Sequence, residues 1–338
     1  MDLKKNLQDF FRKNLNDPGL SLTELVQYTE GWSCETFRAT LDLKNNPREF
    51  IIRKEPPVGM ISHYNMEKEF RVLKALMSTD MKSPKVFWFE PDPAVMGRPF
   101  YVMERVLGEV PVPPMKDEKQ VLFADEKIRR TLAEDFVDIL VRLHRVDWRA
   151  LGLDFLGDPG PGKGSAREQV KYWEDNIRHD QLEPHPVVTQ AVLWLKDHLP
   201  EAEKTSIIHG DYRTGNYISR DGRIQAILDW EFVHLGDPME ELAYVIDLGW
   251  RSGPPDLLVS HLMTEAEFLK LYQEKSGLTI KKDSLEYYRV LNALKAVALG
   301  VGAAKAFSGG KARDLRIAVF HYRTYPFFYV LAKTLGTV

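Results

Sequence analysis

The segment from Ile207 to Phe232, IIHGDYRTGNYISRDGRIQAILDWEF, constrains this chain more than any other part of it. Two β-prone runs, Tyr217 to Arg220 and Arg223 to Leu228, are separated only by Asp221 and Gly222. Asp-Gly accepts positive φ at both central positions of a type I′ turn, whose twist suits the flanking strands. A two-residue turn also sets the register: with Arg220 opposite Arg223, Asn216 falls opposite Ile227 and Asp229 opposite Thr214. Asp211, Asn216 and Asp229 then converge at the open end of the hairpin. A carboxamide and a carboxylate there supply the hard oxygens that Mg²⁺ takes from protein, substrate phosphates and water completing the octahedron. Asp211, a few residues upstream, is placed to meet a hydroxyl.

His209, Asp211, Asn216 and Asp229 also reproduce the pattern H-x-D-x-x-x-x-N with a downstream Asp, which kinases use for phosphoryl transfer. Through HGDYRTGN, LDWEFVHLGDPMEELAY and FYVMERVLGE the chain resembles the aminoglycoside phosphotransferase and choline kinase family. Within it, the chain is most similar to the branch with kinase-like domains fused to some acyl-CoA dehydrogenases. HGD and DWE stand where protein kinases have HRD and DFG, and there is no APE-like terminus, which argues against a protein kinase. The resemblance implies an α+β, two-lobed, protein-kinase-like fold that uses ATP and Mg²⁺ to phosphorylate a hydroxyl of a small molecule. By that resemblance Asp211 is the catalytic base or hydroxyl-orienting group, and Asn216 and Asp229 hold Mg²⁺. Arg213 sits where protein kinases keep a phosphate-contacting lysine, His209 is a buried structural residue, and Asp237 braces the catalytic loop.

Hydropathy patterning agrees with two lobes. From Leu25 to Val106 short extended runs alternate with Gly, Pro and Asn pairs, which predicts an antiparallel sheet. A single helix interrupts them from Tyr64 to Met77, with Met66, Phe70, Leu73 and Leu76 as its apolar stripe. Beyond Gly108 the period becomes helical, as in KIRRTLAEDFVDILVRLHRV and again near 265–275 and 284–299. The proline-rich VPVPP marks the change, giving a nucleotide-binding lobe at 1–107 and a catalytic and acceptor-binding lobe, with the hairpin, at 108–338.

In the first lobe, GWSCETF occupies the position of a phosphate loop, with Gly31, Ser33 and the backbone around them to approach phosphate oxygens. It carries fewer glycines than the protein-kinase loop and reads equally as an ordinary hairpin. In FIIRKEPP, Arg53 shares a face with Ile51 and takes the place of the kinase V-A-I-K lysine, as in choline kinases. Glu69 lies on an apolar helix stripe, where an unpaired charge is costly, and Arg53 is its expected partner. The blander alternative leaves Glu69 solvated and makes Lys54 an equal phosphate contact. FYVMERVLGE resembles a kinase hinge, with Met103 as gatekeeper and the backbone of Glu104 and Val106 meeting the adenine edge.

Composition narrows the partners. There are 46 Lys plus Arg against 49 Asp plus Glu, a net charge of −3, so no broad phosphate-neutralising surface is expected and nucleic acid is not a predicted partner. The lone Cys34 allows neither an intrachain disulfide nor a thiolate cluster. The first fifteen residues read as an amphipathic helix rather than a signal peptide, and the apolar stretch Val290 to Phe307 carries Lys295 and Lys305, so a cytoplasmic chain without a membrane partner is expected. GDPGPGKGS, Gly157 to Ser165, nearly spells a Walker A loop, but no apolar strand leads into it and Gly164 stands at the Mg²⁺-ligand position. The acceptor is not legible. The dehydrogenase-fused branch sets a hydroxyacyl compound or its CoA thioester beside aminoglycosides, choline, homoserine and macrolides, and a nucleotide-binding scaffold without catalysis is the alternative function.

Overall fold

The computed structural model describes residues 2–28, 34–44, 46–56, 64–111, 125–247, 259–312 and 314–336. Gly31 and Ser33 lie outside the described residues.

A first helix, α1 (Leu3–Leu15), is capped by Asp2, whose side chain accepts from the Lys5 amide, and buries Leu7, Phe10 and Phe11. Five strands follow: β1 (Ser21–Tyr28), β2 (Glu35–Asp42), β3 (Pro47–Lys54), β4 (Val86–Glu90) and β5 (Phe100–Glu104). They form one antiparallel sheet of order β1-β2-β3-β5-β4. Alternation along the strands sorts the two faces. Phe37, Ala39, Leu41, Phe50, Ile52, Phe100 and Val102 join α1 in an outer core. Ile51, Tyr101 and Met103 face the other way, against α2 (Met66–Leu76) and the main core. The short α3 (Pro93–Met96) links β4 to β5 and packs on α1.

The remainder is mainly helical: α4 (Glu126–Arg145), α5 (Gly164–Asp180), α6 (Pro186–Asp197), α7 (Pro238–Val245), α8 (Glu265–Ser276), α9 (Lys282–Ser308), α10 (Leu315–Arg323) and α11 (Tyr325–Thr334). α9 is the axis, touching α5, α6, α7, α10 and α11. By length and apolarity it is also the one helix among the described residues that could cross a membrane, yet 83% of that window is buried inside the molecule. Hence it reads as a core helix, apolar on all sides.

Two small antiparallel pairs carry the segment from Ile207 to Phe232: β6 (Ser206–Ile208) with β9 (His234–Gly236), and β7 (Tyr217–Arg220) with β8 (Arg223–Ile227). Asp221 and Gly222 have φ of 54° and 72°, as the type I′ turn requires. The register expected from that turn holds for two pairs and then slips. Ser219 pairs with Ile224, but Ile218 pairs with Ala226, so Gln225 is an extra, bulged residue. Asn216 therefore lies across from Leu228, whose amide donates to its carbonyl at 2.8 Å, and not from Ile227. Ile224, Ala226 and Ile227 are all buried, so both faces of β8 are covered toward its end. The hairpin is tied to the sheet side by reciprocal bonds between Glu109 and Ser219, both 2.8 Å, and from the Ile227 amide to Lys82 O at 2.7 Å. Gly108 makes the first contact possible, since a Cβ there would stand 2.4 Å from Ser219 O.

Candidate active site

The loop between β6 and β7 is held from behind. Glu241 of α7, fully buried, accepts from the His209 amide at 2.5 Å and the Gly210 amide at 3.1 Å. Burial pushes its carboxyl up to about 7, against the pull of those two amides and of Lys295. His209 donates through Nε2 to Leu228 O at 2.8 Å and accepts the Asp211 amide at Nδ1, 3.1 Å away. Both ring nitrogens are thus used by a neutral imidazole, and burial holds its pKa down at about 4. The brace expected from Asp237 comes instead from Glu241: Asp237 accepts from the Met239 amide at 3.0 Å and caps α7. An N-cap position is two to three residues from the amides it can reach, and those lie in its own helix. Gly210, at φ 84°, passes so near Phe232 that a Cβ would meet its Cβ at 2.7 Å.

This bracing aims three side chains at one point. Asp211, 8% exposed, receives Arg213 Nε at 2.8 Å and the Tyr244 hydroxyl on Oδ1, and Asn216 Nδ2 at 2.5 Å on Oδ2. Burial would raise its pKa, but Arg213, the Tyr244 bond and Lys295 outweigh that and hold it below the ordinary carboxylate value. Asn216 Nδ2 also donates to Asp211 O at 2.8 Å, so its amide oxygen is the free end. Asp229 sits past the hairpin with φ 65°, a left-handed conformation that Asp tolerates better than most residues.

From the sheet, Arg53 reaches the same place. Its Nη2 is 2.7 Å from Asp229 Oδ1 and 3.6 Å from Glu69 Oε1. Burial disfavours its charge, but the Glu69 and Asp229 carboxylates outweigh that and keep it firmly charged. Glu69 is 1% exposed and accepts from Tyr101 and Tyr64, each hydroxyl at 2.9 Å. Because the Tyr64 proton goes to Glu69, Cys34 donates its S–H to Tyr64 across 2.9 Å, and burial pushes the thiol up to about 12. Lys54, the competing cation, is taken by Glu35 at 2.5 Å. At the hinge, the Glu104 amide donates to Lys85 O at 2.8 Å and its side chain accepts from the Lys85 amide at 2.8 Å. Val106 lies two residues beyond the end of β5.

The structure therefore brings Asp211, Arg213, Asn216, Asp229, Arg53 and Glu69 together, with Glu104 and Val106 at the connection between sheet and helices. An Asn216 amide oxygen and an Asp229 carboxylate are hard donors with too few protein partners for a closed metal cage; among the described residues no group of three His, Cys, Asp or Glu could hold a metal alone. That donor set fits Mg²⁺, which keeps waters and phosphate oxygens in its shell. Sequence reading missed Tyr244 and Lys295 as parts of this site. Lys295 alone left a signal: a lysine in the middle of an apolar run.

A family model described as the phosphotransferase enzyme family matches residues 24–275. Acyl-CoA dehydrogenase family member 10 of Mus musculus is 27% identical over 320 residues, 90% of this chain but 28% of that protein. Among the curated relatives it matches, the chain spans between 27% and 37% of their length. A crystal structure of a candidate aminoglycoside phosphotransferase from Ralstonia eutropha superposes with a TM-score of 0.74 and 25% identity, covering 98% of each chain. Aminoglycoside phosphotransferase APH(4)-Ia, in a ternary complex with AMP-PNP and hygromycin B, shares the fold at TM-score 0.54 and 15% identity, covering 96% of this chain and 98% of that one.

Proposed function

The chain belongs to the phosphotransferase enzyme family, and from that premise we propose that it moves the γ-phosphoryl group of ATP, with Mg²⁺, to a hydroxyl of a small molecule. The observation that carries this reading is the 2.7 Å contact of Arg53 with Asp229, which joins the cation of β3 to the carboxylate at the hairpin base. Phosphoryl transfer needs little covalent help from protein; it needs the reactants held in line and the phosphate charge offset.

Each residue has a part in that. Asp211 accepts the hydrogen bond of the acceptor hydroxyl and takes its proton as the O–P bond forms, while the bridging oxygen leaves with ADP. Its depressed pKa makes it a weak base, so it orients the nucleophile and receives the proton late. Arg53 and Arg213 offset the charge of the phosphates. Asn216 and Asp229 would hold Mg²⁺, which supplies charge stabilisation to the transferring group when bound. Arg53 leaves Asp229 for the nucleotide when phosphates enter. Glu69 and its two tyrosines keep the guanidinium in reach of both. The backbone at Glu104 and Val106 meets the adenine edge. For the acceptor, the dehydrogenase-family relatives support a hydroxyacyl compound or its CoA thioester.

Incubating the protein with γ-labelled ATP, Mg²⁺ and a metabolite pool, beside Asp211→Asn, tests this. The expected result is one labelled small molecule, identified by mass, that the variant does not form. No product together with no calorimetric nucleotide binding ends the reading. Tight Mg·ATP binding without turnover assigns the chain to a nucleotide-binding scaffold.

A further inference from the structure

Two buried side chains stand behind Asp211 that the pattern of catalytic residues does not include, Tyr244 on α7 and Lys295 on α9. Each is 5% exposed. The Tyr244 hydroxyl donates to Asp211 Oδ1; burial and the neighbouring carboxylate raise its pKa, so the proton stays on the phenol and the direction of the bond is fixed. With Arg213 Nε also on Oδ1 at 2.8 Å, that oxygen has both its acceptor sites filled. Oδ2 takes a short bond from Asn216 at 2.5 Å and a long one from Arg213 at 3.3 Å, so it is the oxygen at which a hydroxyl can replace the weaker contact.

Lys295 acts one layer further back. Its Nζ donates to the carbonyl of Gly210, the residue before Asp211. The ammonium lies 4.7 Å from the centre of the Tyr244 ring, 4.6 Å from that of Phe232 and 5.6 Å from that of Trp173. An ammonium buried among packed helices is costly to keep. Packing alone would be served by a methionine or leucine. The cation instead stacks on the ring that holds Asp211 and bonds the peptide that carries it.

We infer that Tyr244 is a positioning residue for phosphoryl transfer, anchoring Asp211 Oδ1 so that Oδ2 meets the acceptor, and that Lys295 positions Tyr244 and Gly210 in turn. This rests on the phosphotransfer reading above. Initial rates with Mg²⁺, γ-labelled ATP and the metabolite pool are compared for wild type, Tyr244→Phe, Lys295→Met and Lys295→Arg, with Tyr244→Phe repeated in Asp211→Asn. Tyr244→Phe keeps the ring over Lys295 and removes one oxygen. Its apparent kcat falls roughly 10- to 100-fold, the scale of a small misalignment. The KM for ATP stays within about twofold, because uniform binding is untouched.

In Asp211→Asn the same change costs nothing further, since the two act as a unit. Lys295→Met shows the same split and Lys295→Arg recovers part of the loss. Should Tyr244→Phe fail to fold, the Lys295 pair decides. Unchanged kcat, a KM that rises in step with the loss, or an equal loss in Asp211→Asn each overturn the inference. A wild type that labels some molecule while the variants keep its rate sinks the inference alone; a wild type that labels nothing sinks the phosphotransfer reading with it.

Discussion

The catalytic loop and the sheet hold their charged groups in opposite ways. In the loop, position comes from the backbone: Glu241 takes the amides of His209 and Gly210, His209 takes the Asp211 amide, and Asn216 bonds the Asp211 carbonyl. Such a loop has one geometry, and its backbone is fixed before a ligand arrives. In the sheet, Arg53 is held among the described residues by side chains and is divided between Glu69 and Asp229. A guanidinium shared by two carboxylates can leave one without being stranded. On the function proposed above, the contrast separates what must be rigid, the hydroxyl-orienting carboxylate, from what must move, the cation that gives way to phosphate.

The largest effect is expected at the rigid end. Asp211→Asn removes the acceptor of the hydroxyl proton and is expected to lower transfer by about 10³-fold or more, with nucleotide affinity changed little, as single-turnover kinetics and calorimetry would show. A loss in both would mean the loop also carries nucleotide binding.

The second expectation concerns acid. His209 ionises near 4 in the folded loop against 6.5 when free. A depressed folded pKa contributes stability that is complete above pH 6.5 and is lost as pH falls through about 4, at most about 3 kcal/mol for a shift of that size. Asp211, also depressed, adds to this only below its ordinary value of 3.8, while Glu241, raised to about 7, works the other way and gains stability as pH falls from 7 to 4.5. Hydrogen exchange at pH 7 and pH 4.5 in Glu241→Gln, which removes that opposing titration, should therefore show loop amides losing protection before those of β2, β3 and β5. Equal loss in both regions would erase the distinction.

At the mobile end the effects are smaller. Arg53→Met should weaken ATP binding roughly 10- to 30-fold, the worth of one charge-assisted contact to phosphate, and calorimetry measures it. Lys54→Met should change ATP affinity less than about twofold, because its partner is Glu35 and a partly exposed pair contributes little. A larger effect for Lys54 than for Arg53 would reverse the assignment of the two neighbouring cations.

How much of this could be read from the chain varies with distance along it. The turn, Asp211, Asn216 and Asp229 lie within nineteen residues of one another, and local turn chemistry brings them together. The slip at Gln225 was not legible, because the burial of both faces of β8 toward its end appears only once a core surrounds it. The pairing of Arg53 with Glu69 follows from the cost of a bare charge on an apolar stripe. That the same guanidinium also spans to Asp229 required the third dimension. Tyr244 and Lys295 come from helices far down the chain, and long-range packing of that kind leaves only the faint mark of a lysine among alanines and leucines. The Walker-like GDPGPGKGS does precede a helix, α5, but a 3₁₀ turn at Leu153–Leu156 leads toward it rather than a strand.

α9 carries a practical consequence for anyone dividing this protein. The family match stops at residue 275, before that helix begins at Lys282. A shortened chain ending there would retain every residue of the phosphotransferase pattern and still lack the helix against which α5, α6 and α7 pack. It would display those apolar flanks to water and invite aggregation. The boundary of the recognisable motif is thus not the boundary of the working machine, and surveys that excise the matched span would discard the part that lets it stand.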